Sequence, residues 1–145
     1  MKSSLIGRYE HNVDEKGRLA VPSKIRVELG EPFYITCLSD KYLTVFSEEE
    51  WEKFSDKLNS IPQSDRNAQR YVRMIFADAC KCEPDKQGRV LIPQLLRDKV
   101  GLDKEVVTIG ALSRIEIWPK DKWRKEEEET PVGPDMMSSL SEYNV

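Results

Sequence analysis

One stretch of the chain occurs twice, and any fold must accommodate both copies. Asp14-Glu-Lys-Gly17-Arg18-Leu-Ala-Val-Pro22-Ser-Lys-Ile-Arg26 returns as Asp85-Lys-Gln-Gly88-Arg89-Val-Leu-Ile-Pro93-Gln-Leu-Leu-Arg97, with Asp, Gly, Arg, Pro and the final Arg recurring 71 positions apart. The match continues at a shift of 72, Leu43-Thr-Val-Phe46 against Ile115-Glu-Ile-Trp118 and Trp51 against Trp123. A one-residue insertion after Gly30 or Gly101 accounts for the change. Two copies are too few to stack as a solenoid. They predict a pseudo-twofold domain built from two similar halves.

Each copy reads as a turn, a strand and a helix start. Asp14 can accept backbone hydrogen bonds where a tight turn begins, and Gly17 can take positive φ where it ends. Arg18-Leu-Ala-Val21 reads as a short buried strand. Pro22 suits the first position of a helix, where its missing N–H would be unpaired anyway. Gly30 stops that helix, and Gly101 stops its counterpart. Gly17, Gly88, Pro22 and Pro93 are therefore the turn-forming residues.

The pattern D-x-x-G-R-h-x-h-P-x-x-h-R, with h apolar, resembles the AbrB/SpoVT swapped-hairpin DNA-binding motif. Two copies in one chain resemble the MraZ family of bacterial transcriptional regulators. Gly7-Arg-Tyr-Glu-His11, Phe76-Ala-Asp-Ala-Cys80 and Arg114-Ile-Glu-Ile-Trp118 match as well, so the resemblance covers roughly residues 5–124. It implies a mainly β fold with α elements: a pseudo-twofold swapped-hairpin barrel of two repeats, an inserted helix pair and a disordered acidic C-terminal tail. The divisions read this way are 8–50 and 79–122 for the repeats, 51–78 for connecting helices and 126–145 for the tail. The implied function is sequence-specific binding of double-stranded DNA. Its targets would be direct repeats upstream of a division and cell-wall gene cluster that includes the chain's own gene, often in repression. The implied assembly is a homo-oligomeric ring, with a cytoplasmic, nucleoid-associated location.

In that family the D-x-x-x-R segment of each half reads DNA, which maps here to Asp14 through Arg18 and Asp85 through Arg89. Arginine can clamp phosphate or pair bidentately with guanine O6 and N7. Lys16 and Lys86 add cationic loop residues, although Gln87 stands where the first copy has Lys16. Residue chemistry alone leaves a second reading beside this one: Arg18 and Arg89 as structural ion pairs to Asp14 and Asp85 that hold the turns. Arg26 and Arg97 end the motif on a helix, where arginine commonly satisfies carbonyls but can also reach DNA. Arg8 and Lys24 are further cationic candidates.

Composition fits this picture once it is divided. The net charge is −3, but residues 126–145 carry six carboxylates and no Lys or Arg, which leaves +3 on residues 1–125. Phosphate binding depends on where the cations sit rather than on the chain total. Three cysteines argue against a disulfide framework and for a reducing compartment. No apolar run approaches a membrane span, and the N-terminus lacks the long apolar region of a signal peptide.

Elsewhere the pattern predicts strands at 5–13, 33–38, 42–46, 106–109 and 115–118. Ser47 followed by Glu50 is a capping box that opens a helix over 48–59. Ser64-Asp65 can cap a second helix over 65–78, with Ala68, Val72, Ile75 and Ala79 along one side. Pro119 starts a last helix carrying Trp123. Acidic residues, prolines and small polar residues from Glu126 onward predict disorder.

Enzyme chemistry finds no support. Asp14 and Asp85 would need to meet to form an acid/base dyad, and each is better used by its own turn. No glycine-rich phosphate loop, H-E-x-x-H or G-x-S-x-G occurs, and His11 has no visible catalytic partner. Cys80-x-Cys82 with His11 lacks a fourth ligand and the spacing of a zinc ribbon, so no cofactor or metal is expected. Two other functions compete. An AbrB-like antitoxin would use residues 126–145 to neutralise a toxin, and a non-DNA scaffold would use its helix pair to build a ring.

Overall fold

Both halves lay down the same run of elements. The first consists of β1 (Leu5–Asn12), β2 (Arg18–Ala20), α1 (Ser23–Leu29), β3 (Phe33–Thr36), β4 (Leu43–Ser47) and α2 (Glu48–Asn59). A linking helix α3 (Arg66–Ala77) follows. The second half repeats the order with β5 (Cys80–Cys82), β6 (Arg89–Leu91), α4 (Gln94–Val100), β7 (Glu105–Leu112), β8 (Ile115–Pro119) and α5 (Lys120–Glu129), and α6 (Pro134–Ser141) ends the chain. The computed structural model describes residues 4–145, so Met1–Ser3 of the N-terminal stretch read above lie outside it.

Local chemistry accounts for the boundaries. Ser47 accepts the Glu50 N–H and Asp65 accepts the Ala68 N–H, which are the predicted N-caps of α2 and α3. Pro22 and Pro93 are extended and directly precede α1 and α4, so the helices begin one residue after the predicted start. Gly30 and Gly101 stop both helices at positive φ.

The strands form one six-stranded antiparallel sheet, ordered β1-β7-β8-β4-β3-β5, and a separate ribbon of β2 with β6. The hairpins β3–β4 and β7–β8 are each made within one half. The remaining pairings cross between halves: β1 with β7, β5 with β3, β4 with β8 and β2 with β6.

The expected barrel does not close. Closure requires a second neighbour for every edge strand, and β1 and β5 have one each. The strands that would bridge them, β2 and β6, are three residues long and pair with each other instead. The fold is thus a mixed α+β arrangement around an open sheet.

Opposite sheet faces carry different layers. Phe33, Ile35, Val45, Ile115 and Ile117 share an apolar space with Leu19 and Val90 of the ribbon and Ile25 and Leu29 of α1. On the other face Tyr34 stacks on Trp51 at 4.9 Å, Phe46 on Phe54 at 5.0 Å and Tyr42 on Trp118 at 4.7 Å, so α2, α3 and α5 cover it. The ribbon and the longer helices therefore lie on opposite sides of the sheet. Neither α2 nor α3 has a fully buried residue, and Tyr71 and Met74 of α3 are 64% and 53% exposed.

The segment 126–145 also departs from expectation. Residues 126–129 continue α5 and residues 134–141 form α6. Trp123 anchors α5 edge-on against Trp118 at 5.2 Å, while Glu127 pairs with Arg8 and Glu126 with Lys41. Pro134 and Asp135 in the first turn start α6 in the way that helix N-termini favour. Among the described residues, no helix is long and apolar enough to cross a membrane.

Candidate nucleic-acid interface

The repeated turn is built on its aspartate. Asp14 Oδ1 accepts the backbone N–H of Lys16 at 2.9 Å and of Arg18 at 2.8 Å, and Oδ2 accepts Arg18 Nε at 2.8 Å. The backbone closes the same loop, Gly17 N–H to Asp14 O and Asp14 N–H to Arg18 O. Asp85 repeats every contact: Gln87 and Arg89 N–H at 2.9 Å, and Arg89 Nε at 3.0 Å. The backbone N–H of Arg18 does most to hold the Asp14 carboxyl below the ordinary carboxylate value, and that of Arg89 does the same for Asp85. Each aspartate is thus engaged by its own turn.

The halves then lock into one another. The Gly88 carbonyl accepts Val21 N–H and the Gly17 carbonyl accepts Ile92 N–H, both at 2.9 Å. Arg97 donates through Nε to Ile92 O at 2.9 Å, and its guanidinium lies over Gly17 so closely that an added Cβ would sit 2.5 Å from Nη2. Arg26 donates to Val21 O at 3.0 Å and covers Gly88 in the same way, with Cζ 2.7 Å from a Cβ there. Each motif's last arginine thus packs on the other motif's glycine.

Between the two turns lies the ribbon. Its register pairs Arg18 with Leu91, Leu19 with Val90 and Ala20 with Arg89. Leu19 and Val90, 2% and 4% exposed, point into the core. Alternation puts Arg18, Ala20, Arg89 and Leu91 together on the outer face. The predicted short buried strand is therefore buried on one side only. Its period of two was present in Arg-Leu-Ala and Arg-Val-Leu, but the preceding turn and following proline leave too few residues to show it.

The other candidates distribute unevenly. Lys16 and Lys86 are exposed in the two turns, and Lys24 is exposed on α1, on the side that faces Leu5, Ile6 and Tyr9 of β1. Arg8 lies elsewhere: it pairs with Glu127 at 2.8 Å and stands 5.5 Å over the Trp123 ring, on the α5 side of the sheet. His11 and Cys80/Cys82 lie on β1 and β5, the two opposite edges, so these three potential metal ligands do not converge. The His11 ring lies 2.6 Å from Thr108 Oγ1, and burial lowers its pKa. Sequence reasoning missed Leu91, 58% exposed on the outer face of the ribbon and directly opposite Arg18.

Comparison with known proteins follows the same duplication. The sequence model described as MraZ protein, with an antitoxin-like label, matches residues 5–74 and again 75–132. The chain belongs to the MraZ family. It is 51% identical over 122 residues to the transcriptional regulator MraZ of Caldicellulosiruptor bescii, covering 84% of this chain and 85% of that one. Its MraZ relative in Alkaliphilus metalliredigens is 43% identical over 137 residues, 94% and 96% of the two chains. That of Caldanaerobacter subterraneus is 40% identical over 142 residues, 97% and 99%. MraZ-family membership accounts for both copies of the motif, because the two matched segments divide within α3, the helix that links the halves.

Proposed function

We propose that this chain is a sequence-specific DNA-binding transcriptional regulator whose reading element is the β2–β6 ribbon. One observation carries the reading: Arg18 and Arg89, held by identical aspartate turns, stand on the same outer face of a two-stranded ribbon. The major groove admits such a ribbon, and arginine reads guanine there through O6 and N7. Asp14 and Asp85 engage Nε, which orients each guanidinium and leaves its remaining N–H donors for a base or phosphate. In this reading Lys16 and Lys86, exposed in the turns, meet the flanking phosphates and Lys24 adds a cation on α1, while Arg26 and Arg97 support the turns. The names of the relatives agree with this function.

The exchange of strands between halves is, in this reading, the swapped-hairpin arrangement of AbrB-like proteins, with repeats near 8–50 and 79–122. The regulator works as a homo-oligomeric ring that engages direct repeats, in repression, upstream of the division and cell-wall cluster containing its own gene. The incompletely buried α2–α3 pair supplies surface for assembly, and several weak sites per ring supply affinity that one mildly basic protomer lacks.

Footprinting on the DNA upstream of the gene tests the proposal directly. Arg18→Ala and Arg89→Ala should each cost about 1–3 kcal/mol on the protected site and relax base preference. Melting temperature and oligomer mass should stay unchanged. Lys16→Ala should instead weaken binding to all sequences and flatten its salt dependence. Wild-type binding by both arginine variants would end the reading.

A further inference from the structure

Building on the DNA-reading role proposed above, we infer that Leu91 is a second base-reading residue, seated against the C5 methyl group of a thymine beside the base taken by Arg18. The register places Leu91 directly opposite Arg18 on the outer face of the ribbon. Directly opposed residues hold their Cβ atoms roughly 4.5–5.5 Å apart, near enough for both side chains to enter one groove. Leu91 is 58% exposed although the inward ribbon residues Leu19 and Val90 are buried, so the core does not require its side chain.

The chemistry around Leu91 selects the occupant. The surface carries Arg18 and Arg89 and is flanked by turns bearing Lys16 and Lys86, so it suits a polyanion. In the major groove the apolar feature of a base edge is the thymine methyl. The pseudo-symmetric position holds Ala20, paired with Arg89. Its shorter side chain does not reach as far, so the two halves read differently: one presents arginine with leucine, the other arginine with alanine. An asymmetric recognition sequence suits direct repeats, which have polarity.

The test uses the full-length protein and a duplex that it selects from a randomised double-stranded DNA pool. Each thymine is replaced in turn by deoxyuridine, which deletes one methyl and leaves every hydrogen-bonding group in place. At one thymine per recognition repeat, wild type should lose affinity about fourfold, the value expected for one buried methyl-sized group. Leu91→Ala should bind the unmodified duplex more weakly and be indifferent to deoxyuridine at that thymine. Leu91→Met should keep the sensitivity. Ala20→Leu, a gain that unfolding cannot mimic, should create sensitivity at a further position. Equal binding of every deoxyuridine duplex by wild type would overturn the inference. So would a Leu91→Ala variant that changes oligomer mass but keeps the wild-type thymine profile, since Leu91 would then be a protomer contact. Arg18→Ala, measured in parallel, separates the two levels. If it loses binding while deoxyuridine is silent, only Leu91 is misassigned. If it binds normally, the ribbon itself is not the reader.

Discussion

At the scale of single residues, Gly17 and Gly88 show why the motif recurs as a unit. Each stands at positive φ, +83° and +77°, each offers its carbonyl to the other half, and each lies beneath the other half's arginine. A side chain at Gly17 meets both a backbone conformation unfavourable to L residues and the anchored Arg97 guanidinium. Gly17→Ala should therefore destabilise the fold by about 1–3 kcal/mol, seen as a lowered denaturation midpoint. Adding Arg97→Ala should remove the clash without restoring the backbone, so recovery should be incomplete. His11 makes a pH prediction of definite sign. Burial lowers its folded pKa below the usual value near 6.5, so the unfolded chain takes up the proton first as pH falls. Stability should decline as pH drops below about 6.5, and His11→Gln should flatten that part of a melting-temperature profile. Asp14 and Asp85, whose folded pKa values are also lowered, add a second decline at more acidic pH, below their ordinary carboxylate value.

At the scale of elements, capping marks α2 and α3, which have no fully buried residue, whereas α1 and α4 lack a side-chain cap and are held by buried Ile25, Leu29, Leu96 and Val100. The N-terminus of α2 is capped by Ser47 and followed by Glu48, Glu49 and Glu50, which complement the helix dipole. Ser47→Ala should cost about 0.5–2 kcal/mol of stability, measured by chemical denaturation, without altering DNA preference, because α2 and the ribbon lie on opposite sides of the sheet. The ribbon is the contrary case. Two strands of three residues have little stability alone. They are held by the inward Leu19 and Val90 and by the bonds from Val21 and Ile92 to the opposing glycine carbonyls.

For the whole molecule, the crossing of strands between halves makes the repeats interdependent. β1 has no partner within its own half, and neither does β2, β5 or β6. An isolated first half, residues 1–62, should have no folded monomeric state. Circular dichroism and sedimentation should show it either unfolded or paired with a second copy in place of the missing half. A folded monomer of that fragment would contradict the account. Cleavage in the loop between α2 and α3 should by contrast leave the two pieces associated, with one cooperative unfolding transition.

The amino-acid sequence by itself determined everything that depends on neighbours along the chain. Asp14, Gly17 and Arg18 specify their turn within five residues, Ser47 and Asp65 cap their helices within three, and the duplication announces two halves. Contacts from distant positions decided the rest. Whether β2 joins a barrel or pairs only with β6 depends on strands some seventy residues away. Nothing near Arg26 or Arg97 shows that each will cover the other half's glycine, and nothing near Arg8 shows that Trp123 and Glu127 will hold it away from the ribbon. The helical form of residues 126–129 likewise rests on Trp118, Arg8 and Lys41, remote partners that composition cannot register. Even the outward face of the ribbon, with Leu91 beside Arg18, is a matter of cross-strand register, which is set only when two separate segments meet over a shared core.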